Sequence, residues 1–301
     1  MVNIVTSFNG RGLERDAEIV EALVARAGHV SQRVRWDKPA TGQRADLNIC
    51  LETMPIWALG LAPRTWLIPN PEWWNPPWTP FLPKVERVLC KTREALRLFS
   101  AMSPHTEFVG FGARDRMDAS VPRERRFLCA AGVSVGKGAD AVVEAWLRYR
   151  IPWPLTVTGQ LLAGHPPVAG VTFAGNVSDA QMKRLQNACR WHLQPSWTEG
   201  FGMAIHEALS CGGLVAVPDF PPMNEWPGCA IRMPVSETAP QRIATTCRMS
   251  PDSVRDAALA LAALDDGQTA TLRAAARQQY EQERSVFERR MVELLTAVSP
   301  V

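Results

Sequence analysis

Residues 197–213 read WTEGFGMAIHEALSCGG and place two carboxylates, Glu199 and Glu207, around paired glycines at the start of a predicted helix. Gly200 and Gly202 let the backbone approach a ligand closely, and the first helical turn presents amide donors that attract phosphate. The spacing of this acid-pair motif suits a ligand with a sugar, a diphosphate and a nucleoside, that is, a nucleotide sugar. Simple capping of the helix is the structural alternative.

Composition and charge are those of a globular protein large enough for two domains. The chain has 301 residues, of which 46% are apolar and 21% charged, and a net charge of +3 that neither requires nor excludes a polyanionic partner. The seven cysteines are scattered singly, which indicates reduced thiols, and they show no zinc-ligand spacing with the histidines. No apolar run is long enough to span a bilayer. We expect a cytoplasmic protein without metal, cofactor or membrane partner.

Short apolar runs alternate with amphipathic stretches, a pattern typical of a parallel α/β sheet. The rhythm restarts after the polar stretch at 121–126, which indicates two α/β domains. The predicted strands are 2–7, 46–51, 65–68, 87–89, 126–132, 154–160, 171–177, 191–196 and 213–219. The predicted helices are 13–27, 139–149, 179–188, a helix from about 202, 253–264 and 269–295.

The run QPSWTEGFGMAIHEALSCGGLVAVPD at 194–219 resembles the donor signature of the retaining GT-B glycosyltransferases typified by glycogen and sucrose synthases. The shared pattern is P-S-x-x-E-G-F-G, seven residues between the two glutamates, and then E-A-x-x-x-G-x-x-V. Three further segments are similar to the family in the same order: the N-terminal glycine loop at 10–15, a lysine loop at 132–138 and a base-contacting loop at 173–177. The resemblance covers nearly the whole chain.

This resemblance implies the GT-B fold, an α/β architecture in which two Rossmann-like domains face a central cleft. We expect an N-terminal acceptor domain over 1–122 and a C-terminal domain over 123–275 that binds the nucleotide-sugar donor. The last helix, about 276–301, is expected to pack back on the N-terminal domain. Closure of the two domains would complete the site.

The resemblance also implies roles for individual residues. Glu199 would bind hydroxyls of the transferred sugar, Glu207 the ribose and Lys137 the diphosphate of a donor for which UDP is favoured. The predicted donor contacts are Gly10, Gly12, Ser134, Lys137, Asn176, Val177, Glu199, Gly200, Phe201, Gly202, Met203 and Glu207. The predicted catalytic residues are Glu199, Lys137 and Glu52. Transfer would retain anomeric configuration without metal, because Lys137 and the helix amides stabilise the departing diphosphate.

The chain departs from the family's pattern at two places. The lysine loop contains Gly132-Val133-Ser134, whereas the family usually has an arginine just after the glycine. One positive charge on the leaving diphosphate is therefore missing or comes from another residue. Glu52 follows the predicted strand at 46–51, where many members have a histidine. A solvated loop acid and a contact to the acceptor or sugar are both open for Glu52.

The acceptor is predicted from a basic and an aromatic segment. Residues 84–126 contain ten basic residues against six acidic ones, and the tryptophan loop at 69–83, PNPEWWNPPWTPFLP, holds three tryptophans. The chain is similar in size and build to compact phage-encoded transferases that glycosylate hydroxymethylated pyrimidines in DNA. Basic side chains would then bind phosphates and tryptophans would stack on a base, with predicted contacts from Trp73, Trp74, Trp78, Arg93 and Arg97. The alternatives are a solvated basic surface, tryptophans packed in a core, and a surface polysaccharide or small molecule as acceptor.

Two other classes of function fit parts of the pattern. A protein that binds a nucleotide sugar without catalysis would keep the donor residues, and the missing arginine favours it. A sugar-nucleotide epimerase also has two such domains, but it should need further acids and a histidine near the reacting carbon, which the sequence lacks. Glycosyl transfer is the predicted function.

Overall fold

Two parallel β-sheets organise the chain, each in its own unit. The computed structural model describes residues 1–8, 10, 12–39, 43–160 and 164–298. Unit 1 comprises Met1–Gly112, Pro240–Ala244 and the chain from Glu283 onward, and unit 2 comprises Ala113–Ala239 and Thr245–Gln282. Unit 2 begins earlier than the predicted boundary at 122/123, because the backbone amide of Ala113 already donates to His206 Nδ1 within this unit, at 3.0 Å.

Unit 1 contains a six-stranded parallel sheet and two α-helices that connect pairs of its strands. Its elements are β1 (Val2–Thr6), α1 (Gly12–Arg26), β2 (Ser31–Arg35), β3 (Leu47–Leu51), β4 (Arg64–Ile68), β5 (Arg87–Cys90), α2 (Arg93–Ser100) and β6 (Thr106–Phe108). The strand order is β2-β1-β3-β4-β5-β6. β1 and β3 are buried along their whole length, as is typical of parallel strands covered on both faces.

Trp74 lies at the centre of the unit 1 core. Its ring centroid is 5.1 Å from that of Phe99 and 5.4 Å from that of Trp78, both in edge-to-face geometry. The tryptophan loop, which the sequence predicts to be irregular, forms two stretches of 3-10 helix, Pro71–Trp73 and Pro76–Lys84. Prolines start both stretches, because a missing N–H costs nothing at the first helical positions.

Unit 2 repeats the architecture. Its elements are β7 (Glu124–Ala130), α3 (Ala139–Tyr149), β8 (Leu155–Thr158), β9 (Val171–Gly175), α4 (Asp179–Ala188), β10 (Cys189–Leu193), α5 (Met203–Ser210), β11 (Leu214–Pro218), β12 (Ile231–Met233), β13 (Glu237–Gln241), β14 (Ala244–Arg248), α6 (Pro251–Ala263) and α7 (Asp266–Thr296). The parallel sheet has the order β12-β11-β10-β7-β8-β9, and β13 and β14 form a separate two-stranded sheet whose connecting end, Pro240–Ala244, belongs to unit 1. Helix α7 continues into unit 1 at Glu283, where Phe287 packs on Phe111 with ring centroids 4.7 Å apart.

The strand orders fix where each unit can bind a ligand. In a parallel α/β sheet, the crevice lies outside the carboxyl ends of the strands at the point where the strand order reverses. In unit 2 this point lies between β7 and β10, so the lysine loop after β7 and the acid-pair motif after β10 meet there. In unit 1 it lies between β1 and β3, which brings the loop before α1 and Glu52 to the same edge.

His192 in β10 makes the stability of the fold dependent on pH. The side chain is fully buried, and burial, followed by the charge of Arg123, lowers its pKa from 6.5 to about 3. Below pH 6.5 the unfolded chain binds a proton at His192, whereas the folded chain does not bind it until about pH 3. The free energy of unfolding is therefore highest above pH 6.5 with respect to this residue and decreases as the pH falls.

We expect the free energy of unfolding of the native protein to fall by about 2 kcal/mol more than that of His192→Asn between about pH 7 and 5. The asparagine variant is less stable at neutral pH because its smaller side chain leaves a cavity, but it takes up no proton on unfolding. Urea denaturation at a series of pH values measures the difference. Parallel stability curves for the two proteins would contradict this role of His192.

Candidate functional site

The acid-pair motif forms a tight turn between β10 and α5. Gly202 has φ +97°, and a Cβ atom at this position would lie 3.1 Å from Ile205 and 3.2 Å from Trp226, so the turn requires glycine. Within the described residues, no side chain caps the start of α5 at Met203. The amides of the first turn are therefore available to an anion.

The lysine loop packs directly against this turn. Ser134 Oγ accepts a hydrogen bond from the amide of Gly136 at 3.2 Å, and a single 3-10 turn, Val135–Lys137, follows. Gly138 has φ +66°, and a Cβ there would lie 2.2 Å from the carbonyl oxygen of Pro195. Only a glycine lets the two loops approach this closely.

Lys137 and Glu199, two of the predicted catalytic residues, form an ion pair. Lys137 Nζ lies 2.6 Å from Glu199 Oε1, with the lysine side chain 27% exposed and the glutamate 9%. The pair places a hydrogen-bond acceptor, the Glu199 carboxylate, beside a cationic donor, the Lys137 ammonium group. It also neutralises the charge of Lys137, so the lysine loop offers an anion little net positive charge.

Glu207 lies buried on α5 in a polar network that sequence reasoning missed. Gln186 Nε2 donates to Glu207 Oε2 at 2.7 Å, and Arg116 Nε donates to Gln186 Oε1 at 3.0 Å. The same guanidinium binds both carboxylate oxygens of Asp179, at 2.8 and 3.0 Å. Arg116 and Gln186 thus hold Glu207 in position. No motif in the sequence indicates a role for Gln186. Arg116 is one of the ten basic residues at 84–126, and the sequence alone does not relate it to Glu207.

A cavity of about 290 Å³ opens at the carboxyl ends of β7 and β8. A Cβ on Gly159 would lie 2.0 Å from the carbonyl oxygen of Gly132, so the two strand ends touch through glycine. Asn176, a predicted base contact, is exposed and donates to Gln160 next to this cavity, at 3.4 Å, and Val177 beside it is half-buried. The cavity is lined by Ala131, Gly132, Ser134, Val135, Ala139, Asp140, Thr158, Gly159 and Trp197.

In unit 1, the predicted residues Gly10 and Gly12 stand before and at the start of α1. The amide of Gly10 donates to Glu14 Oε2 at 2.7 Å and its φ of +72° favours glycine. Gly12 is the first residue of the helix. Residues 9 and 11 lie outside the described part of the chain.

Glu52 occupies an unusual backbone position at the end of β3. Its φ is +64°, a left-handed conformation that costs a non-glycine residue about 1–2 kcal/mol and is enriched at functional sites. Asn70, at the end of β4, donates to Glu52 Oε2 at 2.7 Å. Burial raises the pKa of Glu52, and the hydrogen bond from Asn70 acts in the opposite direction. The carboxyl group is thus a positioned hydrogen-bonding group rather than a solvated loop acid.

The three tryptophans of the tryptophan loop have different environments. Trp74 is 0% exposed and packs in the core of unit 1, so the prediction that it contacts the acceptor is wrong, since the ring has no free face. Trp78 is partly buried against the same core. Trp73 is 49% exposed, with the guanidinium carbon of Arg242 6.0 Å from its ring centroid. Trp73 is therefore the tryptophan best placed to stack on a ligand.

Arg93 and Arg97, the predicted phosphate contacts, lie on the exposed side of α2. Arg97 pairs with Glu94 through two hydrogen bonds of 2.6 and 2.8 Å. The guanidinium of Arg93 lies 3.8 Å from the ring centroid of Phe108. Both cations thus have partners within unit 1.

The described residues contain no group of three or more histidine, cysteine, aspartate and glutamate side chains that could hold a metal ion. The same residues include no helix with the length and apolarity needed to cross a membrane. All seven cysteines are buried and free. Burial raises the pKa of Cys50 and Cys129 to about 12, so these thiols stay protonated and unreactive.

Two Rossmann-like units with parallel sheets define the GT-B fold. Residues 116–226 match the family model described as "Glycosyl transferases group 1". This matched segment contains the lysine loop, the acid-pair motif and the buried Glu207 network. No curated protein matches the chain by sequence.

Solved structures share the fold over nearly the whole chain. Sucrose-phosphate synthase from Thermosynechococcus elongatus has a TM-score of 0.75 at 12% identity, with 98% of either chain covered. WaaG, a glycosyltransferase involved in lipopolysaccharide biosynthesis, has a TM-score of 0.71 at 15% identity, with 99% of this chain and 100% of WaaG covered. HepE from Anabaena in complex with UDP-glucose has a TM-score of 0.70 at 14% identity, with coverage of 99% and 100%. In the longer chain matched in the GtfA/B complex, this chain spans 58% of the length.

The approach of the two loops in unit 2 predicts that Gly138→Ala is strongly destabilising. A left-handed alanine costs about 1–2 kcal/mol, and its Cβ would meet the Pro195 oxygen at 2.2 Å. We expect the free energy of unfolding to fall by more than about 2 kcal/mol.

Urea denaturation followed by tryptophan fluorescence measures the effect of Gly138→Ala. Gly136→Ala is the matched control in the same loop, since its Cβ would meet nothing closer than Ser134 Oγ at 3.4 Å. Equal losses for the two variants would show that the contact with Pro195 does not constrain the loop.

Proposed function

We propose that the protein is a glycosyltransferase that transfers a sugar from a nucleotide-sugar donor, with UDP favoured, to a hydroxyl group. The observation that carries the proposal is the Lys137–Glu199 pair at 2.6 Å, beside the start of α5 and inside the segment that matches the glycosyltransferase family. The complex of HepE with UDP-glucose supports the choice of donor.

The geometry of unit 2 supports a proposed chemical task for each predicted donor residue. The amides at the start of α5 and Lys137 would bind the diphosphate and stabilise its charge as it departs, which lowers the barrier to transfer. Glu199, which is hydrogen-bonded to Lys137, would accept hydrogen bonds from sugar hydroxyls. The buried Glu207 would bind the ribose. With a lysine and helix amides at the diphosphate, no metal is required, and we propose transfer with retention of anomeric configuration, as in the family that the chain resembles.

A binder of nucleotide sugars without catalysis is the second candidate. The ion pair favours it, because Lys137 is neutralised by Glu199 and contributes less to a leaving group. Hydrolysis of a donor to nucleoside diphosphate and free sugar separates the two candidates, since a transferase uses water slowly when no acceptor is present.

The acid pair provides the test of the proposed function. A screen of UDP-, GDP- and ADP-sugars, run in EDTA and read by mass spectrometry, identifies the donor that is hydrolysed. We expect Glu199→Ala to abolish this hydrolysis while nucleoside diphosphate binding persists, because the loss of Glu199 frees Lys137. Glu207→Ala should instead weaken nucleotide binding about 10–100-fold, the value of lost hydrogen bonds to a charged group.

Glu144→Ala removes a carboxylate of an exposed ion pair with Arg148 on α3 and serves as the control. It should leave both hydrolysis and binding unchanged. Hydrolysis by Glu199→Ala at the rate of the native protein would refute the assignment, and an absolute need for added magnesium or manganese would refute the metal-free mechanism.

The acceptor is the finer part of the proposal, and hydroxymethylated pyrimidine in DNA is the candidate that the sequence predicts. Among the ten basic residues at 84–126, those that pair with carboxylates of the described residues include Arg87, Lys91, Arg97, Arg116 and Arg126. Arg123 and Arg125 donate to backbone carbonyl groups. Much of the local positive charge is thus neutralised within the fold, which favours a surface polysaccharide or small molecule. The exposed Trp73 and the Glu52–Asn70 pair suit a ligand with rings and hydroxyl groups.

If DNA is the acceptor, we expect the affinity for duplex DNA to depend on the salt concentration. Binding to a hydroxymethylated duplex should weaken steeply as salt rises, because each phosphate contact releases counterions. The double variant Arg93→Glu/Arg97→Glu should bind less tightly without a change in donor hydrolysis. Trp73→Ala should reduce transfer more than binding, since a base must leave the stack before it can react.

Gel shifts and transfer assays at two salt concentrations, with an unmodified duplex as the control, test this acceptor. An absence of binding at low salt, together with an absence of sugar on any modified base, would leave saccharides and small molecules as acceptors.

A further inference from the structure

The neutralised Lys137 leaves the donor diphosphate in need of a second cation. A nucleoside diphosphate carries at least two negative charges at neutral pH, and amide dipoles together with a lysine already paired to Glu199 at 2.6 Å compensate them only in part. A cation that binds this diphosphate must lie close to the lysine loop and must not be used by a carboxylate of the protein.

Arg248 meets the requirement of position. It is the last residue of β14, and the preceding residue, Cys247, donates its amide to the carbonyl oxygen of Trp197 at 2.8 Å. The amide of Trp197 in turn donates to the carbonyl oxygen of Gly136 in the lysine loop at 2.7 Å. Two backbone hydrogen bonds therefore connect the strand of Arg248 to the lysine loop through the first residue of the acid-pair motif.

The side chain of Arg248 lies over the indole of Trp197. Its guanidinium carbon is 3.7 Å from the ring centroid, well within the range of a cation–π contact. A guanidinium has five N–H donors, so those that the ring does not cover can bind an anion. Trp197 lines the cavity with Gly132 and Ser134, so the rim of the indole borders the loop from which the arginine is missing.

Arg248 also meets the requirement of charge. The residue is exposed and, across the described ranges of the chain, forms no ion pair with a carboxylate. Arg255 is another arginine of unit 2 that lies over an aromatic ring, 4.5 Å from the centroid of Tyr149, but it pairs with Asp252 and Asp256. Arg248 therefore keeps a full positive charge for a ligand.

We propose that Arg248, held on Trp197, binds the diphosphate of the nucleotide-sugar donor and replaces the positive charge that the lysine loop lacks. The inference rests on the proposed function, because it requires a nucleotide ligand in unit 2. In the reaction, the bond between the anomeric carbon of the sugar and the diphosphate oxygen breaks, a bond from the acceptor hydroxyl oxygen to that carbon forms, and the hydroxyl proton passes to the departing diphosphate. Arg248 stabilises the negative charge that moves onto this leaving group.

Calorimetric titration with UDP and with uridine separates a phosphate contact from a structural role. GDP with guanosine, and ADP with adenosine, serve where the protein prefers another base. We expect Arg248→Ala to weaken binding of the diphosphate about tenfold or more, the effect of losing a charged hydrogen bond, and to leave nucleoside binding unchanged. Arg248→Lys keeps the charge and should restore part of the affinity. The salt dependence of diphosphate binding should be shallower in Arg248→Ala, since one positive charge is missing.

Arg255→Ala is the matched control, because it removes an arginine stacked on an aromatic ring in the same unit and should leave both titrations unchanged. Equal weakening of UDP and uridine by Arg248→Ala would show that the residue only supports Trp197, and unchanged UDP binding would show that it makes no contact; either result overturns the inference while the donor function stands. If the native protein binds none of the three nucleoside diphosphates, the proposed function itself fails.

Discussion

The contact between Gly138 and the carbonyl oxygen of Pro195 is the constraint on which the candidate site depends. It joins the loop after β7 to the end of β10, where the order of the unit 2 sheet reverses. Because no Cβ intervenes, the two loops approach closely enough for Lys137 to reach Glu199. The distance of 2.6 Å between these side chains is thus a consequence of backbone packing. The position of the Glu199 carboxylate beside the Lys137 ammonium group therefore depends on one glycine.

Most of the α/β framework can be predicted from the sequence, because buried parallel strands are continuous apolar runs. The sequence does not predict β2, because SQRVR is a polar edge strand in which only Val34 is buried. β13 is similar, with no buried residue along ETAPQ. Strands at an edge or outside the main sheets are specified by their partners more than by their own hydrophobicity, which a single sequence does not display.

Some residues of the candidate site can likewise be predicted from the sequence, whereas others are recognised only in the structure. Lys137, Glu199 and Glu207 follow from local motifs, whose spacing along the chain is tied to a turn or a helix. Gln186 and Arg248 come from distant segments, and their relation to Glu207 and Trp197 exists only after folding. The basic stretch at 84–126 illustrates a different error, in which residues that are adjacent in sequence are taken to form one surface. Its residues are contiguous in sequence, but folding divides them between two units and gives several of them carboxylate partners, so a local count of charges does not describe a surface.

The path of the chain between the two units has a consequence for how this protein can be rearranged. The backbone passes from one unit to the other after Gly112, after Ala239, after Ala244 and after Gln282. No single cleavage can release either unit as an uninterrupted polypeptide, and a recombination event with one junction always gives a unit 1 with residues from both parents, because this unit contains the first and the last segment of the chain. An exchange of the complete unit 1 therefore requires several junctions, one at each passage of the backbone between the units.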